Sequence, residues 1–256
     1  IYDYNLYGIG ADIIFSDIDT FKFVSSHLSA YPYGPYDLYE GVSIDEVIQN
    51  ELSTRYLENL DIYNQIINNS SNNPQLPVIY VGDHNTPSKL DWGLNNINQN
   101  FGFSIEWPVS EFLLNNNFYD SYRLVNPSIF DDIGLTWSPG YPKNNFDSWD
   151  VHDRIDMIYF KHGSSNKLYP IDSYIYDCDP WPSDHRAVVT EFAICKDSVF
   201  GDVNLDNQIN VLDIISLVNQ ILYSNNLYCL YLRCDIDLNG ELNVLDVIQL
   251  VNFILD

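Results

Sequence analysis

The chain has 256 residues, of which 46% are hydrophobic and 15% are aromatic, so it can bury one or two cores and is not intrinsically disordered. Eleven Lys and Arg residues stand against 36 Asp and Glu residues. The formal net charge of -25 excludes a protein that attracts nucleic acid or acidic membrane through its surface field alone. A phosphate substrate would have to be met by bound cations, and no apolar run reaches the roughly 18 residues of a membrane span.

Strand-like and helical patterns alternate through the first 195 residues. Ser43 and Glu46 form a capping box, which predicts a helix that begins there and runs to about Asn69. A second helix is predicted from Val109 to Asn117. Together with the strands, these helices predict an α/β fold in which helices cover a sheet. The six predicted strands lie at 11–15, 21–26, 77–82, 155–160, 168–176 and 186–194.

Six polar residues stand at the ends of these predicted strands, where α/β folds build functional sites. Taken singly, a strand-end Asp is usually a turn former, and a lone His is usually a core or surface group. Two of the five His residues fall in the set, which favours a shared function. The six candidate residues are His27, Asp83, Asn85, Asp156, Asp184 and His185.

Five motifs in the same region resemble the endonuclease/exonuclease/phosphatase superfamily, which has the deoxyribonuclease I-like α+β sandwich fold. His84 stands where the family has Phe, and because it lies between two site-facing neighbours we expect it to pack in the core. The motifs agree in order and spacing with the family from about 20 to 195. They are SSHL at 25–28, GDHN at 82–85, DSYRLVNP at 120–127 with LTW at 135–137, RIDMIYF at 154–160 and SDHRAV at 183–188.

The resemblance implies phosphoester hydrolysis by in-line attack of water, with a role for each motif residue. His185 would act as general acid and base, and Asp156 would hold its tautomer. Asp83 and Asn85 would orient the water and the scissile phosphate. His27 would donate a hydrogen bond to a phosphoryl oxygen.

The resemblance also implies a catalytic Mg²⁺ or Mn²⁺ with Asp184 as a ligand. The family's principal metal-binding Glu precedes the histidine strand, whereas Glu40 and Glu46 follow it here. The chain begins at Ile1, and its one methionine is Met157. We therefore expect about the first third of the catalytic domain to lie upstream of this chain, which leaves open whether the chain as it stands is active.

The C-terminal region contains an internal repeat with an offset of 33 residues. NVLDIISLVNQIL at 210–222 returns as NVLDVIQLVNFIL at 243–255, with ten of thirteen positions identical, and an acidic loop precedes each copy. One such loop alone would be read as an Asx-rich helix entry, but two in register predict two Ca²⁺ sites. The predicted ligands at positions 1, 3, 5, 7, 9 and 12 are Asp202, Asn204, Asp206, Gln208, Asn210 and Asp213, then Asp235, Asp237, Asn239, Glu241, Asn243 and Asp246.

With Asp at position 12 and Gly240 at the sharp turn, 201–256 resembles a type I dockerin. That resemblance implies two structural Ca²⁺ ions and a cohesin domain, on a scaffold or cell-surface protein, as partner. Dockerins often carry small hydroxyl residues at positions 10 and 11, but this chain has Val-Leu in both copies. The choice of cohesin is therefore open, and so is an internal partner for those apolar residues.

The four Cys residues show no CxxC spacing, which disfavours zinc and favours disulfides. We predict Cys178 with Cys195 and Cys229 with Cys234, because each pair stays within one predicted domain. Four reduced thiols in a cytosolic protein are the alternative.

We predict a hydrolase-like domain at 1–197 and a dockerin at 198–256. The leading hypothesis is an extracellular, Mg²⁺-dependent phosphoester hydrolase docked to cohesin, acting on nucleic acid, a phospholipid headgroup or a small phosphodiester. A second hypothesis is an inactive module that only binds cohesin, and a third, less favoured, is a glycoside hydrolase. Arg123, Arg154 and Arg186 are candidates for phosphate contact, although structural ion pairs are their more common fate.

Overall fold

The chain forms two compact units in the computed structural model. Unit 1 comprises Ile1–Ser164 and Pro170–Phe192, and unit 2 comprises Ser165–Tyr169 and Ala193–Asp256. Nothing tests the predicted domain boundary at 197/198, which stays a prediction. The structure describes residues 7–14, 20–67, 76–96, 100, 102–137, 151–176, 178, 181–196, 199–223, 229, 233–236 and 241–255.

The centre of unit 1 is a five-stranded mixed sheet. Strand β2 pairs in parallel with β3, and the remaining neighbours are antiparallel. Each of the four longer strands matches a predicted one, so the predicted α/β class is confirmed at the level of a mixed sheet with helices. In spatial order, the strands are β1 (Gly8–Ile14), β2 (Thr20–His27), β3 (Val78–Asp83), β5 (Asp156–Lys161) and β4 (Tyr119–Asp120).

The helices of unit 1 bury apolar side chains of the sheet. Val24 and Tyr80 of the sheet are fully buried in a core that also contains Ile62 and Leu113 from the helices. Burial of such side chains stabilises a fold by about 1.5–3 kcal/mol each. The helices are α1 (Gly34–Tyr39), α2 (Ile44–Ser53), α3 (Arg55–Ile62), α4 (Pro108–Asn115) and α5 (Ser121–Val125), and a π-helical turn at Tyr63–Ile67 follows α3.

The prediction of one continuous helix from Ser43 to about Asn69 is wrong, because the structure has the separate helices α2 and α3 there. Ser43 caps α2 as expected, accepting a hydrogen bond from the backbone N–H of Glu46 at 3.3 Å. Thr54 then breaks the helix, with φ -122° and ψ -101°, and its hydroxyl donates to the carbonyl of Asn50 at 2.6 Å. A β-branched residue that satisfies its hydroxyl on the preceding turn competes with the helix ladder, and the periodicity of apolar residues does not reveal this.

Two further strands, β6 (Asn166–Tyr176) and β7 (Ala187–Lys196), match the two remaining predicted strands and form a separate two-stranded sheet. Unit 2 contains helices α6 (Val211–Tyr223) and α7 (Val244–Leu255). The side chains of Leu217 and Leu250 are fully buried at its core with Cys234. No described helix of either unit has both the length and the apolar character needed to cross a bilayer.

The disulfide of the structure joins Cys195 to Cys229, with a Cα–Cα distance of 5.4 Å. The predicted pairs Cys178–Cys195 and Cys229–Cys234 are therefore wrong. Their premise was that each pair stays on one side of 197/198, but β7 carries Cys195 into unit 2 beside Cys229. Cys234 is a buried thiol, and burial raises its pKa to about 12.

Arg123 and Arg154 form a buried ion-pair network with Asp91 and Asp120. Arg154 forms a two-pronged pair with Asp120, with Nη–Oδ distances of 2.6 and 3.1 Å, and its Nη2 lies 2.8 Å from Asp91. Arg123 pairs with the same Asp91. The structural ion pairs expected as the common fate of Arg123 and Arg154 are confirmed, and these two guanidinium groups are not available to a phosphate.

We predict that Arg154→Leu lowers the free energy of unfolding by about 3–5 kcal/mol, because it leaves the buried carboxylate of Asp120 without its counterion. Urea denaturation followed by circular dichroism measures the change. The matched control is Lys89→Leu, whose pairs with Glu106 and Glu111 lie at the surface and are worth about 1 kcal/mol or less. Equal losses in both variants would contradict a structural role for the network.

Candidate active site and C-terminal loops

Three of the predicted site residues form one row across the sheet. The pairing of β2 with β3 places His27 opposite Asp83, and the pairing of β3 with β5 places Asp83 opposite Asp156. Oδ2 of Asp83 lies 3.5 Å from Nε2 of His27. The His27 side chain is 73% exposed, whereas the side chains of Asp83 and Asp156 are 14% and 22% exposed, so the two carboxylates are mostly covered.

His185 reaches this row from the segment before β7. Its Nδ1 lies 2.8 Å from Oδ2 of Asp156, and its Nε2 lies 4.0 Å from Oδ2 of Asp83. A carboxylate on Nδ1 holds the proton there and leaves Nε2 facing the pocket. Asp156 is itself positioned by Thr136, whose hydroxyl oxygen accepts the backbone N–H of Asp156 at 3.1 Å.

The pKa values of Asp83 and His185 are shifted both by burial and by the charges of their neighbours. Burial raises the pKa of Asp83, and the neighbouring charge of Asp156 raises it further against the opposing effect of the two imidazoles. Burial lowers the pKa of His185, but the hydrogen bond and charge of Asp156, with the charges of Asp83 and Asp184, outweigh it and raise the pKa overall. The site therefore has an excess of negative charge, which favours a cation or a protonated imidazole.

The turn after β3 depends on two unusual backbone conformations. Gly82 has φ +142°, and a Cβ at this position would lie 1.9 Å from the carbonyl oxygen of Ser26, so only glycine allows β2 and β3 to approach there. Asn85 has φ +49°, its backbone N–H donates to Asp83 Oδ1 at 2.8 Å, and its side-chain amide donates to the carbonyl of Leu28 at 2.9 Å. These bonds tie the end of β3 to the segment after His27.

The remaining two motif residues differ in placement. Asp184 is exposed, and its Oδ1 accepts from the hydroxyl of Ser183 at 3.4 Å. His84 is buried, as expected, with its ring against Tyr80 and Tyr159. Burial lowers its pKa to about 4, so His84 is neutral at pH 7 and belongs to the core.

The structure adds an aromatic wall that sequence reasoning missed. A pocket of about 160 Å³ is lined by His27, Asp83, Asn85 and His185 and by an aromatic wall of Tyr31, Tyr33, Tyr36 and Trp137. The sequence signal for the wall was weak, because α1 has only six residues and Trp137 lies outside every long strand. Single bridges from Trp137 to Asp153 and to His185 hold it beside the row.

A group that could hold a metal ion combines Asp83 and His185, which line this pocket, with the adjacent Asp156. Asp83, Asp156 and His185 each offer one ligand atom, and these atoms lie within 4.8 Å of one another. Carboxylate oxygens are the ligands that Mg²⁺ and Mn²⁺ prefer, so the donor set fits a hard divalent cation held mainly by the two acids. Asp184 is not part of this group.

The two C-terminal loops repeat the same hydrogen bonds at the 33-residue offset. In the first, Asp213 Oδ1 accepts the backbone N–H of Val203 at 2.8 Å, and its Oδ2 accepts that of Asn210 at 2.9 Å. In the second, Asp246 accepts from Ile236 and Asn243 at the same two distances. Both position-12 carboxylates therefore fold into their loops and are fully buried.

In the first loop, Asp202 is also fully buried and accepts the N–H groups of Asp206 and Asn207 at 3.1 and 2.9 Å. Asn207 at position 6 has φ +64°, the conformation for which glycine is expected there. In the second loop, Asp237, Asn239 and Gly240 lie outside the described residues. The other predicted ligands of this loop, Asp235 and Glu241, are described, and Asp235 is buried.

Comparison of the sequence with known proteins gives one distant relative and no family. No family model matches the chain. An uncharacterized protein of Caenorhabditis elegans, F14F9.5, is 26% identical over 214 residues, which are 72% of this chain and 63% of the worm protein. The chain thus spans less than two thirds of this relative's length.

Comparison with solved structures gives partial similarities. The APE2 catalytic domain of Xenopus laevis has 19% identity and a TM-score of 0.43, over 74% of this chain and 55% of that one. TDP2 of D. rerio with a single-strand DNA product has 15% identity and a TM-score of 0.42, over 73% and 61%. An endonuclease/exonuclease/phosphatase family protein of Bacteroides thetaiotaomicron has 16% identity and a TM-score of 0.38, over 72% and 55%. Scores this low leave the functional conclusion to the geometry of the site.

We predict that Asp156→Asn lowers the pKa of His185, because it removes the charge that holds the imidazolium. The raised pKa means that this pair stabilises the fold fully below pH about 6.5, and that the contribution is lost as the pH rises through the pKa of folded His185. NMR titration of the imidazole protons measures the shift. Asp172→Asn, an exposed carboxylate on β6, is the control and should leave the titration unchanged. An unchanged pKa in Asp156→Asn would contradict the pairing.

Proposed function

We propose that unit 1 is a metal-dependent phosphoester hydrolase of the nuclease and phosphodiesterase class. The observation that carries the proposal is the convergence of two imidazoles and two carboxylates: His27, Asp83 and His185 line one pocket, and Asp156 contacts His185. His185 is paired with Asp156 at 2.8 Å, and Asp83 lies between the Nε2 atoms of His27 and His185. A carboxylate-oriented imidazole whose second nitrogen faces a pocket is suited to proton transfer.

The roles follow from position. His185 exchanges a proton through Nε2, while Asp156 keeps the other proton on Nδ1 and stabilises the imidazolium that forms. Asp83 accepts a hydrogen bond from the attacking water. His27, exposed at the pocket mouth, donates to a phosphoryl oxygen. Asn85 lines the pocket, and the hydrogen bond from its side-chain amide to the Leu28 carbonyl fixes the orientation of that amide. Asn85 therefore helps to orient the phosphate.

The metal of this proposal is Mg²⁺ or Mn²⁺, held by Asp83 and Asp156. When bound, the cation supplies positive charge against the phosphoryl oxygens and offsets the repulsion between two neighbouring acids. The cation would also supply positive charge for the phosphate in a chain that has few basic residues and a net charge of -25.

For unit 2 the proposal is a type I dockerin that binds two Ca²⁺ ions and docks the hydrolase to a cohesin domain outside the cell. Support comes from the repeated bonds of Asp213 and Asp246 and from the apolar side chains exposed at both helix starts, Val211, Leu212, Val244 and Leu245. The Cys195–Cys229 disulfide supports an oxidising, extracellular location.

The second candidate function is a module without catalysis that acts only by calcium-dependent cohesin binding. It is favoured by the absence, among the six motif residues, of a Glu for the metal. Hydrolysis of a phosphoester distinguishes the two candidates, because only the hydrolase would catalyse it.

We predict that the protein, with any upstream residues its gene encodes, hydrolyses bis(4-nitrophenyl) phosphate in Mg²⁺ or Mn²⁺. His185→Ala should lower kcat by about 10²–10⁴, the contribution typical of general acid–base catalysis, with little change in melting temperature. The control is His162→Ala, whose ring contacts Tyr119 and Phe160 outside the pocket. Equal activity of both variants would contradict the role of His185, and no turnover by the wild-type protein would favour the binding module.

We predict that EGTA lowers the melting temperature of unit 2, because without a cation the buried pair Asp202 and Asp213 in the first loop, and the buried pair Asp235 and Asp246 in the second, carry unbalanced negative charge. Asp213→Ala and Asp246→Ala should each remove one of two Ca²⁺ equivalents in calorimetric titration. Asn219→Ala, exposed on α6, should leave both. A transition that EGTA does not move would rule out calcium as the structural ion.

A further inference from the structure

The wall opposite the catalytic row consists of rings in mutual contact. Tyr33, Tyr36 and Trp137 meet edge to face in all three pairs, with centroid distances of 5.1, 5.6 and 5.7 Å. Tyr31 continues the wall toward solvent with 72% of its surface exposed. Such an arrangement offers ring faces and edges to a further aromatic group.

The wall is held at a fixed distance from the reacting groups. The Tyr33 hydroxyl donates to Asp153 at 2.7 Å, and the backbone N–H of Trp137 donates to the carbonyl of the same residue at 2.9 Å. The Trp137 and His185 ring centroids lie 6.2 Å apart. A group bound against the wall is therefore adjacent to a phosphate that His185 contacts.

The charges of the pocket restrict what that group can be. None of the ten described lining residues is Lys or Arg, and the Tyr33 hydroxyl is already committed to Asp153. A second phosphate would find no Lys or Arg among these lining residues to balance its charge, which disfavours polyphosphates and long nucleic acid. A neutral, planar and apolar group suits the wall.

The size of the pocket restricts the group further. Its volume is about 160 Å³. An apolar cavity of about 150 Å³ holds one benzene molecule. A pocket of this volume therefore accommodates one six-membered ring against the wall, with the phosphate on the side of His27 and His185.

We infer that the substrate is a small phosphoester that carries one six-membered aromatic ring, with Tyr31, Tyr36 and Trp137 as the residues that select it. This inference rests on the proposed hydrolase function for the position of the phosphate. The ring preference is measured by binding, so it is tested separately from turnover.

The test compares phenylphosphonate with methylphosphonate in isothermal titration calorimetry with Mg²⁺ present. The wild-type protein should bind phenylphosphonate at least about tenfold more tightly, because only that ligand fills the aromatic half of the pocket. Tyr36→Ala and Tyr31→Ala should reduce the preference to about threefold or less, through loss of phenylphosphonate affinity alone. Tyr31 is so exposed that its replacement leaves the fold intact.

Two controls make the test specific. Tyr31→Phe keeps the ring and should keep the preference. Tyr39→Ala should also keep it, because Tyr39 lies on α1 with Tyr36 but its exposed ring does not line the pocket. Equal affinity for the two phosphonates, or binding of neither, would overturn the ring site. A retained phenyl preference without phosphodiester turnover would instead overturn the hydrolase proposal and leave the ring site standing.

Discussion

The alignment of β2, β3 and β5 is the constraint on which the site depends. Parallel pairing of β2 with β3 and antiparallel pairing of β3 with β5 place His27, Asp83 and Asp156 in one row. A slip of one residue in either pair would turn one of these side chains to the other face of the sheet. Gly82 permits the approach of the strands at this point, since any side chain there would meet the backbone of Ser26.

The row stores electrostatic repulsion that a bound group relieves. Asp83 and Asp156 are neighbours in a partly buried setting, and the pKa of Asp83 is raised by burial and by that neighbour. His185 balances part of the charge, with its own pKa raised overall despite burial. A fold that keeps two acids adjacent loses stability unless a cation or substrate compensates, and functional sites are where such arrangements occur. The buried pairs of Arg154 differ, because both charges there are already matched.

The strands were predictable from the sequence because β-branched and aromatic runs end at polar residues, and the structure places His27 and Asp83 at such ends. The helix break at Thr54 was not predictable from the sequence, because it depends on a single hydrogen bond from the Thr54 hydroxyl to the Asn50 carbonyl. Spacing could not reveal the disulfide, because it links β7 to Cys229, 34 residues further along the chain. The aromatic wall was missed because Tyr36 and Trp137 meet only through the fold, which joins a six-residue helix to a single-residue bridge.

The central claim is that the row across the sheet holds a divalent cation beside His185. Anomalous diffraction from crystals soaked in Mn²⁺ tests it most directly. The account predicts a peak within about 2.5 Å of carboxylate oxygens of Asp83 or Asp156. A peak confined to the loops that contain Asp213 and Asp246, with none at the row, would contradict it.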